Sequence, residues 1–306
     1  MNTFVQTIVN ALSLGALYAL IALGYTLVYG VLRFINFAHS DIVTLGTWLT
    51  VTIAGALGWA GTDSPAFALP VVLILCMALC AAVGITLEFL AYRPLRRAPR
   101  LNVLITAIGV SLFLQNVGQL KFVFGTQPQR MPALVEDRSL FQIIGVHIRL
   151  VDVTVVLLAG VLLFGLEALI YRTRLGRAMR AVSFDERTAS LMGIDVNRII
   201  SITFGIGSAL AAAGGLLFAL KYESIKQSAD ATWVLLGLKA FVAAVVGGIG
   251  NVRGAVAGAL LIAFVEMFGA AYFSPHMRDL YVFVILIVVL LVKPSGLFGK
   301  AVVEKV

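Results

Sequence analysis

Charge is what this sequence has least of. Only 12% of its 306 residues are Asp, Glu, Lys or Arg, where a soluble domain carries about 25%. Long polar stretches are missing too. None exceeds about thirty residues, too little for a separate soluble core. There are two cysteines, Cys76 and Cys80 in VLILCMALCAA. They read as small core residues, since two cysteines alone make no metal set. The three histidines, His39, His147 and His276, stand in separate regions and belong to no nucleophile–base set. No GxxxxGK[ST] phosphate loop occurs. The first residues, MNTFVQTIVNALSLGALYALIALG, lack a basic n-region, and their apolar run is too long for a signal-peptide core. They are expected to form a retained membrane span.

Apolar sequence fills the rest. The chain is 60% hydrophobic, with a mean hydropathy of +1.01. The fold class expected is all-α: a polytopic transmembrane helical bundle in one membrane domain. The net charge of +8 does not point to nucleic acid, because the basic residues sit at span ends and form no separate basic face. About twenty apolar residues cross a bilayer. On that length spans fall near 6–32, 40–58, 69–91, 101–122, 150–170, 199–219, 232–250, 254–273 and 279–293. Gly-rich, partly polar segments near 33–46 and 237–254 read as broken or re-entrant helices, so eight to ten spans fit. The segments 33–41, 92–100, 171–198, 251–253 and 293–306 carry fifteen Lys or Arg, against seven in the alternate set. The positive-inside rule then places the N-terminus outside and the C-terminus in the cytoplasm.

The chain is organised around Tyr171–Arg198, YRTRLGRAMRAVSFDERTASLMGIDVNR, with six arginines and three acids. Each central Arg would cost roughly 2.5–3.5 kcal/mol in hydrocarbon, so this stretch lies in water or against a partner. Met179, Val182, Leu191 and Ile194 are apolar among charges, as on a short amphipathic helix, and Gly193 is a natural stop. An apolar cytoplasmic face can dock a soluble partner; a solvated loop that only sets topology is the plainer alternative.

Polar residues inside apolar context mark candidate sites. Asn36, His39, Ser40 and Asp41 crowd between the first two spans. They suit either a broken helix lining a cavity or a plain cytoplasmic turn capped by Asn36 or Ser40. The plain turn is slightly favoured by position. Ser111, Gln115 and Gln119 share one face of the fourth span, beside Asn116. They suit interhelical bonding or cavity lining. Lys239 and Glu266 can each face a pathway; Lys239, near the outer end, can equally snorkel, whereas Glu266 needs a partner or a neutral state. Gly205, Ser208, Ala209, Ala212 and Gly215 form a small-residue packing face. The pattern LExLxYR at 87–93 returns at 166–172, a hint of duplication. The GGIG turn before Asn251 and Arg253 resembles the break near residue 36, and paired interruptions point to a translocation pathway.

Blocks along the chain resemble one family in order. They are ALGYTLVYGVLRFINFAHSDIVTLG, LEFLAYRPLR, TAIGVSLFLQN, GRAMRAVSFDERTASLMGIDVNRI, AVVGGIGNVRGAVAGALLI and KPSGLFG. The family is the branched-chain amino acid ABC permeases, LivH-type subunit, and the likeness runs from about residue 10 to 300. Ser40 departs from it, standing where the family usually has Gly. The resemblance implies that residues 1–306 form one permease domain in a bacterial inner membrane. It implies a second related permease, two cytoplasmic ATP-binding subunits that hold ATP and Mg, and an extracytoplasmic solute-binding protein, with membrane lipid around the chain. This chain would be non-catalytic and carry no cofactor or metal. Residues 172–198 would be the coupling loop, where RTASLMG (187–193) loosely resembles the importer EAA…G pattern. Its expected coupling residues are Arg180, Asp185, Glu186, Arg187, Ala189 and Gly193. Asn36, His39, Ser40, Gln115, Asn116 and Glu266 are expected along the pathway. Cargo alternatives are urea, short amides or another small organic solute. Alternatives of another class are an ion-coupled carrier, a channel and a membrane scaffold.

Overall fold

The computed structural model describes residues 2–59, 64–96, 98–136, 138–143 and 146–299. Its helices are α1 (Asn2–Leu32), α2 (His39–Ala56), α3 (Ala68–Leu87), α4 (Arg100–Gly118), α5 (Leu150–Arg172) and α6 (Arg174–Phe184). Then come α7 (Glu186–Leu191), α8 (Val196–Tyr222), α9 (Ala231–Gly247), α10 (Val252–Tyr272) and α11 (Arg278–Val292). Every expected span corresponds to a helix. Among the described residues, seven helical stretches are long and apolar enough to cross a membrane: Thr3–Leu32, Ala68–Leu95, Leu101–Gly118, Leu150–Arg172, Val196–Tyr222, Val252–Tyr272 and Pro275–Val292. The chain is thus an all-α, multi-pass membrane bundle. The other two helices belong to the segments expected to be interrupted. Helix α9 is apolar but shorter, and α2 is diluted by His39, Ser40, Asp41 and four threonines.

Among the described residues, strand pairing is confined to one end of the bundle. There β1 (Gln129–Arg130), β2 (Ser139–Ile143), β3 (Val146–Arg149) and β4 (Ser224–Ile225) form two antiparallel pairs, β1 with β4 and β2 with β3. Gln129 faces Ile225, which clasps the loop before α5 to the turn after α8.

Helix α1 is buried along most of its length, and α8 nearly so, whereas α4, α5 and α11 show most of their surface. Small residues put α1 at the centre. Without a hydrophobic drive between helices in lipid, close backbone approach carries the association. Gly15 meets Leu260 and Ala263 of α10, and Gly24 meets Gly207 of α8. The expected small-residue face of α8 packs on two neighbours: Ala212 against Gly46 of α2, Gly215 against Val43 and Thr47 of α2, and Ser208 against Gly84 of α3.

The link between α1 and α2 is not the favoured plain turn. Arg33, in the left-handed region at φ 54°, reverses the chain. Residues 33–38 then climb back along α1, because His39 Nε2 meets the carbonyl of Ile21 at 3.2 Å. Ile21 lies eleven residues before Leu32, about 16 Å up the axis at ~1.5 Å per residue. Helix α2 therefore starts deep in the bundle. The second interruption differs. Gly248 (φ 104°) and Gly250 (φ 92°) make a tight turn, and Asn251 caps α10 by accepting from the Gly254 N–H at 3.2 Å. The chain after α11 closes this turn, with Leu297 N–H on the Val246 carbonyl and Phe298 N–H on that of Gly247, at 2.8 and 3.0 Å. It stays at the arginine-rich end, where Arg253 meets Glu167.

A Cβ at Gly215 would fall 2.2 Å from the Val43 carbonyl oxygen, while nothing lies within 4 Å of one at Gly160. Gly215→Ala is expected to lower stability by about 1–3 kcal/mol through overpacking. Gly160→Ala should be neutral or stabilise by up to ~1 kcal/mol. Thermal unfolding of the two variants in detergent checks the contrast.

Candidate functional site

Three clusters hold the expected residues other than Asn116. The first surrounds the start of α2. Asn36 is buried and accepts a hydrogen bond from Tyr92 Oη at 2.7 Å. Tyr92 reaches it because α3 ends in a π-helical turn, Glu88–Tyr92, that sinks both Glu88 and Tyr92 inward. Such turns frequently occur at functional sites. His39 is buried, with its ring edge-on to Tyr25 at 4.4 Å. The Ile21 carbonyl only accepts, so Nε2 carries a proton. Neither Asn36 nor Ser40 caps α2. Its N-cap is Ala38, without a side-chain bond, and Ser40 Oγ donates back to the Phe37 carbonyl at 3.1 Å. The Ser40 side chain fits because α9 presents Gly237 to it; a Cβ there would come within 2.3 Å.

Gln115 of α4 joins this cluster. Its Nε2 donates to Asp41 Oδ1 at 2.9 Å and to Ser111 Oγ at 3.2 Å. Its main-chain carbonyl accepts from Ser228 Oγ at 2.9 Å. Asn116 does not join. It is exposed and bonds the Leu112 carbonyl of its own helix at 2.7 Å. One residue is ~100° of helical turn, which carries Asn116 off the inward face. Asp41 was left out of the expected pathway set, yet it is the carboxylate this cluster holds.

The second cluster lies toward the opposite end of the bundle from the arginines. Lys239 does not snorkel. Its ammonium sits between Glu266 Oε1 at 2.8 Å and Asp279 Oδ1 at 2.6 Å. Tyr18 Oη donates to Glu266 Oε2 at 2.8 Å. The network ties α1, α9, α10 and α11 together. It borders a cavity of about 330 Å³ that Tyr222, Trp233 and Leu236 also line. A second ion pair went unnoticed in the sequence: Lys221 of α8 meets Asp152 of α5 and Ser13 of α1, each at 2.7 Å.

The third cluster is the hairpin α6–α7. Thr173 caps α6, accepting from the Gly176 N–H at 3.0 Å. Arg180 donates to the Ile170 carbonyl and lies over the Tyr171 ring, 5.3 Å from its centroid. Asp185 caps α7, accepting from the N–H groups of Arg187 and Thr188 and from the Thr188 hydroxyl. Gly193 ends α7 at φ 81°. The single amphipathic face expected here divides. Met179 and Val182 are buried in the bundle, as is Ala189, whereas Phe184, Leu191 and Met192 are 84%, 87% and 78% exposed. The Asp185 break between α6 and α7 shifts the helical phase. Glu186 and Arg187 are exposed beside the apolar group. The hairpin is fastened to the end of α1: Ser183 Oγ donates to the Gly30 carbonyl, and the Arg33 guanidinium reaches the Ser183 and Phe184 carbonyls.

The repeated LExLxYR motif has a repeated use. Glu88 accepts from Arg96 and from Ser201 of α8. Glu167 accepts from Arg253 Nε of α10 at 2.8 Å. Each fastens the end of one helix to the first turns of another.

A helical membrane bundle with a re-entrant second helix and an arginine-rich hairpin fits a solute permease. Residues 7–292 match the family described as branched-chain amino acid transport system, permease component, and the chain belongs to that family. It is 39% identical to the high-affinity branched-chain amino acid transport system permease protein BraD of Pseudomonas aeruginosa, covering 99% of this chain and 98% of that one. It is 37% identical to LivH of Escherichia coli, a permease protein of the same description, over the same shares. Ribose import permease protein RbsC of E. coli is 25% identical, over 86% of this chain and 77% of that one.

Two outcomes follow. Lys239→Met leaves Glu266 without its buried cation and should destabilise the chain by about 3–5 kcal/mol; adding Glu266→Gln should recover part of this, read by thermal unfolding. At Asp185, the Thr188 hydroxyl and then the Thr188 and Arg187 amides hold the carboxyl below its ordinary value. A lowered folded value means the cap acts fully above the ordinary carboxylate range and fades as pH falls through the folded value. Asp185→Ala should speed amide exchange in α7 at pH 7 while leaving α6 unchanged, and wild type should approach the variant at low pH.

Proposed function

We propose that this chain is one of the two membrane subunits of an ATP-driven importer for branched-chain and other hydrophobic amino acids. The observation that carries this is the end-to-end relation to BraD and LivH, which takes in the hairpin as well as the spans. In this reading the arginine-rich end faces the cytoplasm of a bacterial inner membrane, with the N-terminus outside and the C-terminus inside. A second, related permease completes the pathway. Two cytoplasmic subunits bind ATP with Mg and hydrolyse it; this chain is non-catalytic and holds no cofactor. An extracytoplasmic binding protein delivers the solute, and nucleic acid has no part.

The physical case has two halves. Helix α2 starts within the bundle, so its N-terminal N–H groups and dipole lie at depth, where they favour an anionic group such as a substrate carboxylate. Asn36, His39, Ser40 and Gln115 surround that start, and Glu266 borders the far cavity. At the other end the hairpin exposes Phe184, Leu191 and Met192 together with Glu186 and Arg187, while Arg180 braces it against the end of α5, Ala189 is buried and Gly193 ends α7. Exposed apolar groups of this kind mark interaction sites. The same machine carrying urea or short amides is the neighbouring reading, since the binding protein selects cargo. Ion-coupled transport without ATPases is the distant one.

Native mass measurement tests the assembly, with the tagged chain purified from cells expressing its genomic neighbours. The expected mass is this chain plus one other membrane subunit and two ATPases. The chain alone or as a homo-oligomer, still moving solute in ATP-free liposomes, would overturn the proposal. In the reconstituted assembly, Leu191→Asp and Arg187→Glu should each cut binding-protein-stimulated ATPase activity at least tenfold while leucine capture by the binding protein is unchanged.

A further inference from the structure

We infer that the cavity beside Lys239 is a binding site for a single α-amino acid with an apolar side chain, its zwitterion held by Arg278 and Asp279. The inference rests on the importer reading, in which this is the outer end, and names the place in the chain where the solute first settles. The cavity measures about 330 Å³ and lies between α1, α8, α9, α10 and the start of α11. Small-molecule pockets run from about 300 to 1,000 Å³, so its size suits one small solute.

The charged groups on its wall differ in what they already hold. Lys239 gives hydrogens to Glu266 Oε1 and Asp279 Oδ1. Glu266 is satisfied twice, since Tyr18 Oη donates to its Oε2. Lys226 meets the Thr232 hydroxyl at 2.9 Å and Asp230 at 3.6 Å. Arg278 is exposed, and among the described residues its guanidinium has no hydrogen bond and no ion pair. Asp279 is half exposed, and its Oδ2 has no partner among the described residues, Oδ1 alone meeting Lys239. Arg278 stands where the cavity meets a cleft bordered by Gln6 and Asn10, within electrostatic reach of the Tyr222 hydroxyl. One uncommitted guanidinium and one uncommitted carboxylate oxygen, on consecutive residues, make a dipole at the rim. Its complement is a carboxylate on the guanidinium, which takes it through two parallel bonds, and an ammonium on Oδ2. An α-amino acid carries both groups on one carbon.

The rest of the wall selects the side chain. Phe218 packs on Tyr222 with ring centroids 4.5 Å apart and stands edge-on to Trp233 at 5.8 Å. Leu14 and Leu236 extend that surface. Trp233 Nε1 donates to the Gln227 carbonyl at 3.0 Å, so the indole offers the cavity apolar surface alone. An aliphatic side chain laid there leaves water, whereas a polar one finds no partner on it. Charge excludes the simpler ligands. A plain anion on Arg278 would meet Asp279 and Glu266 beside it, and a plain cation on Asp279 would meet Lys239 and Arg278. A zwitterion answers both signs.

The test uses the full chain purified in detergent. L-Leucine is the probe, and thermal unfolding and titration calorimetry are the readouts. A ligand of the folded state raises the midpoint with the logarithm of its concentration, and leucine should do so. Isocaproate, which lacks the ammonium, and isoamylamine, which lacks the carboxylate, should each bind at least tenfold more weakly. Glycine, which lacks the side chain, should bind severalfold more weakly. Arg278→Gln should weaken leucine binding at least tenfold and Asp279→Asn severalfold, while Asn116→Ala leaves it unchanged. Arg278 bonds no described residue, so its variant should fold as the parent does and serves if Asp279→Asn does not. No response to leucine, equal affinity for isocaproate, or an undiminished response in Arg278→Gln would overturn the inference. The importer reading is tested apart from it. In an assembly whose ATPase still answers the loaded binding protein, leucine uptake untouched by Arg278→Gln removes the site and leaves the importer. Leucine binding that needs Arg278, in a chain that recruits no ATPases, removes the importer and leaves the site.

Discussion

The bonds around the start of α2 are the constraint on which the remaining structure depends. Hydrocarbon offers no partner to a backbone or side-chain polar group, so irregular chain at membrane depth survives only where protein or water satisfies it. Four neighbours meet that demand. The Ile21 carbonyl of α1 takes His39, Tyr92 beyond α3 takes Asn36, Gln115 of α4 takes Asp41, and Gly237 of α9 makes room for Ser40. The buried α1, the π turn that aims Tyr92 and the closely packed α8 all serve to bring those neighbours to one place.

Charged pairs carry out a second task, which is alignment. Lys239 with Glu266 and Asp279, Lys221 with Asp152 and Arg253 with Glu167 each join different helices. Desolvation cancels much of the attraction in such pairs, so they are weak evidence for stability. They do resist sliding of one helix along another, since a shift of one turn would leave a charge in an apolar wall. In a bundle held by small-residue contacts, which have little directional preference, that resistance fixes register.

Much of the architecture was legible because hydropathy is local. Nine apolar runs became nine helices, and the glycines and serine of α8 identified its packing face. Depth and facing are not local, and there the sequence was silent. Nothing in 33–41 says that the chain climbs back along α1; that follows from His39 meeting a residue eighteen positions earlier. Gln115 and Asn116 are adjacent and chemically alike, but only Gln115 points inward. Asp41 was seen but not selected, because its cluster forms only where α2, α4 and Ser228 converge. The pairing of Gln129 with Ile225 joins segments too short to register as strands. In the arginine-rich stretch the charges gave the position of the hairpin. Its break at Asp185, which buries Met179 and exposes Leu191, depended on a cap whose effect on phase shows only in three dimensions.

Helix α1 is unbroken for 31 residues, a rod of about 46 Å at ~1.5 Å per residue. One end is tied to the hairpin through Gly30 and Arg33, its middle to His39, and Tyr18 to the Glu266 network. No glycine–proline joint interrupts it between these attachments. The molecule therefore has a mechanical axle: a tilt imposed at the hairpin is delivered undivided to the start of α2 and to the far cavity. The hairpin and the stretch around Tyr18 and Ile21 move in opposite senses if the rod pivots between them.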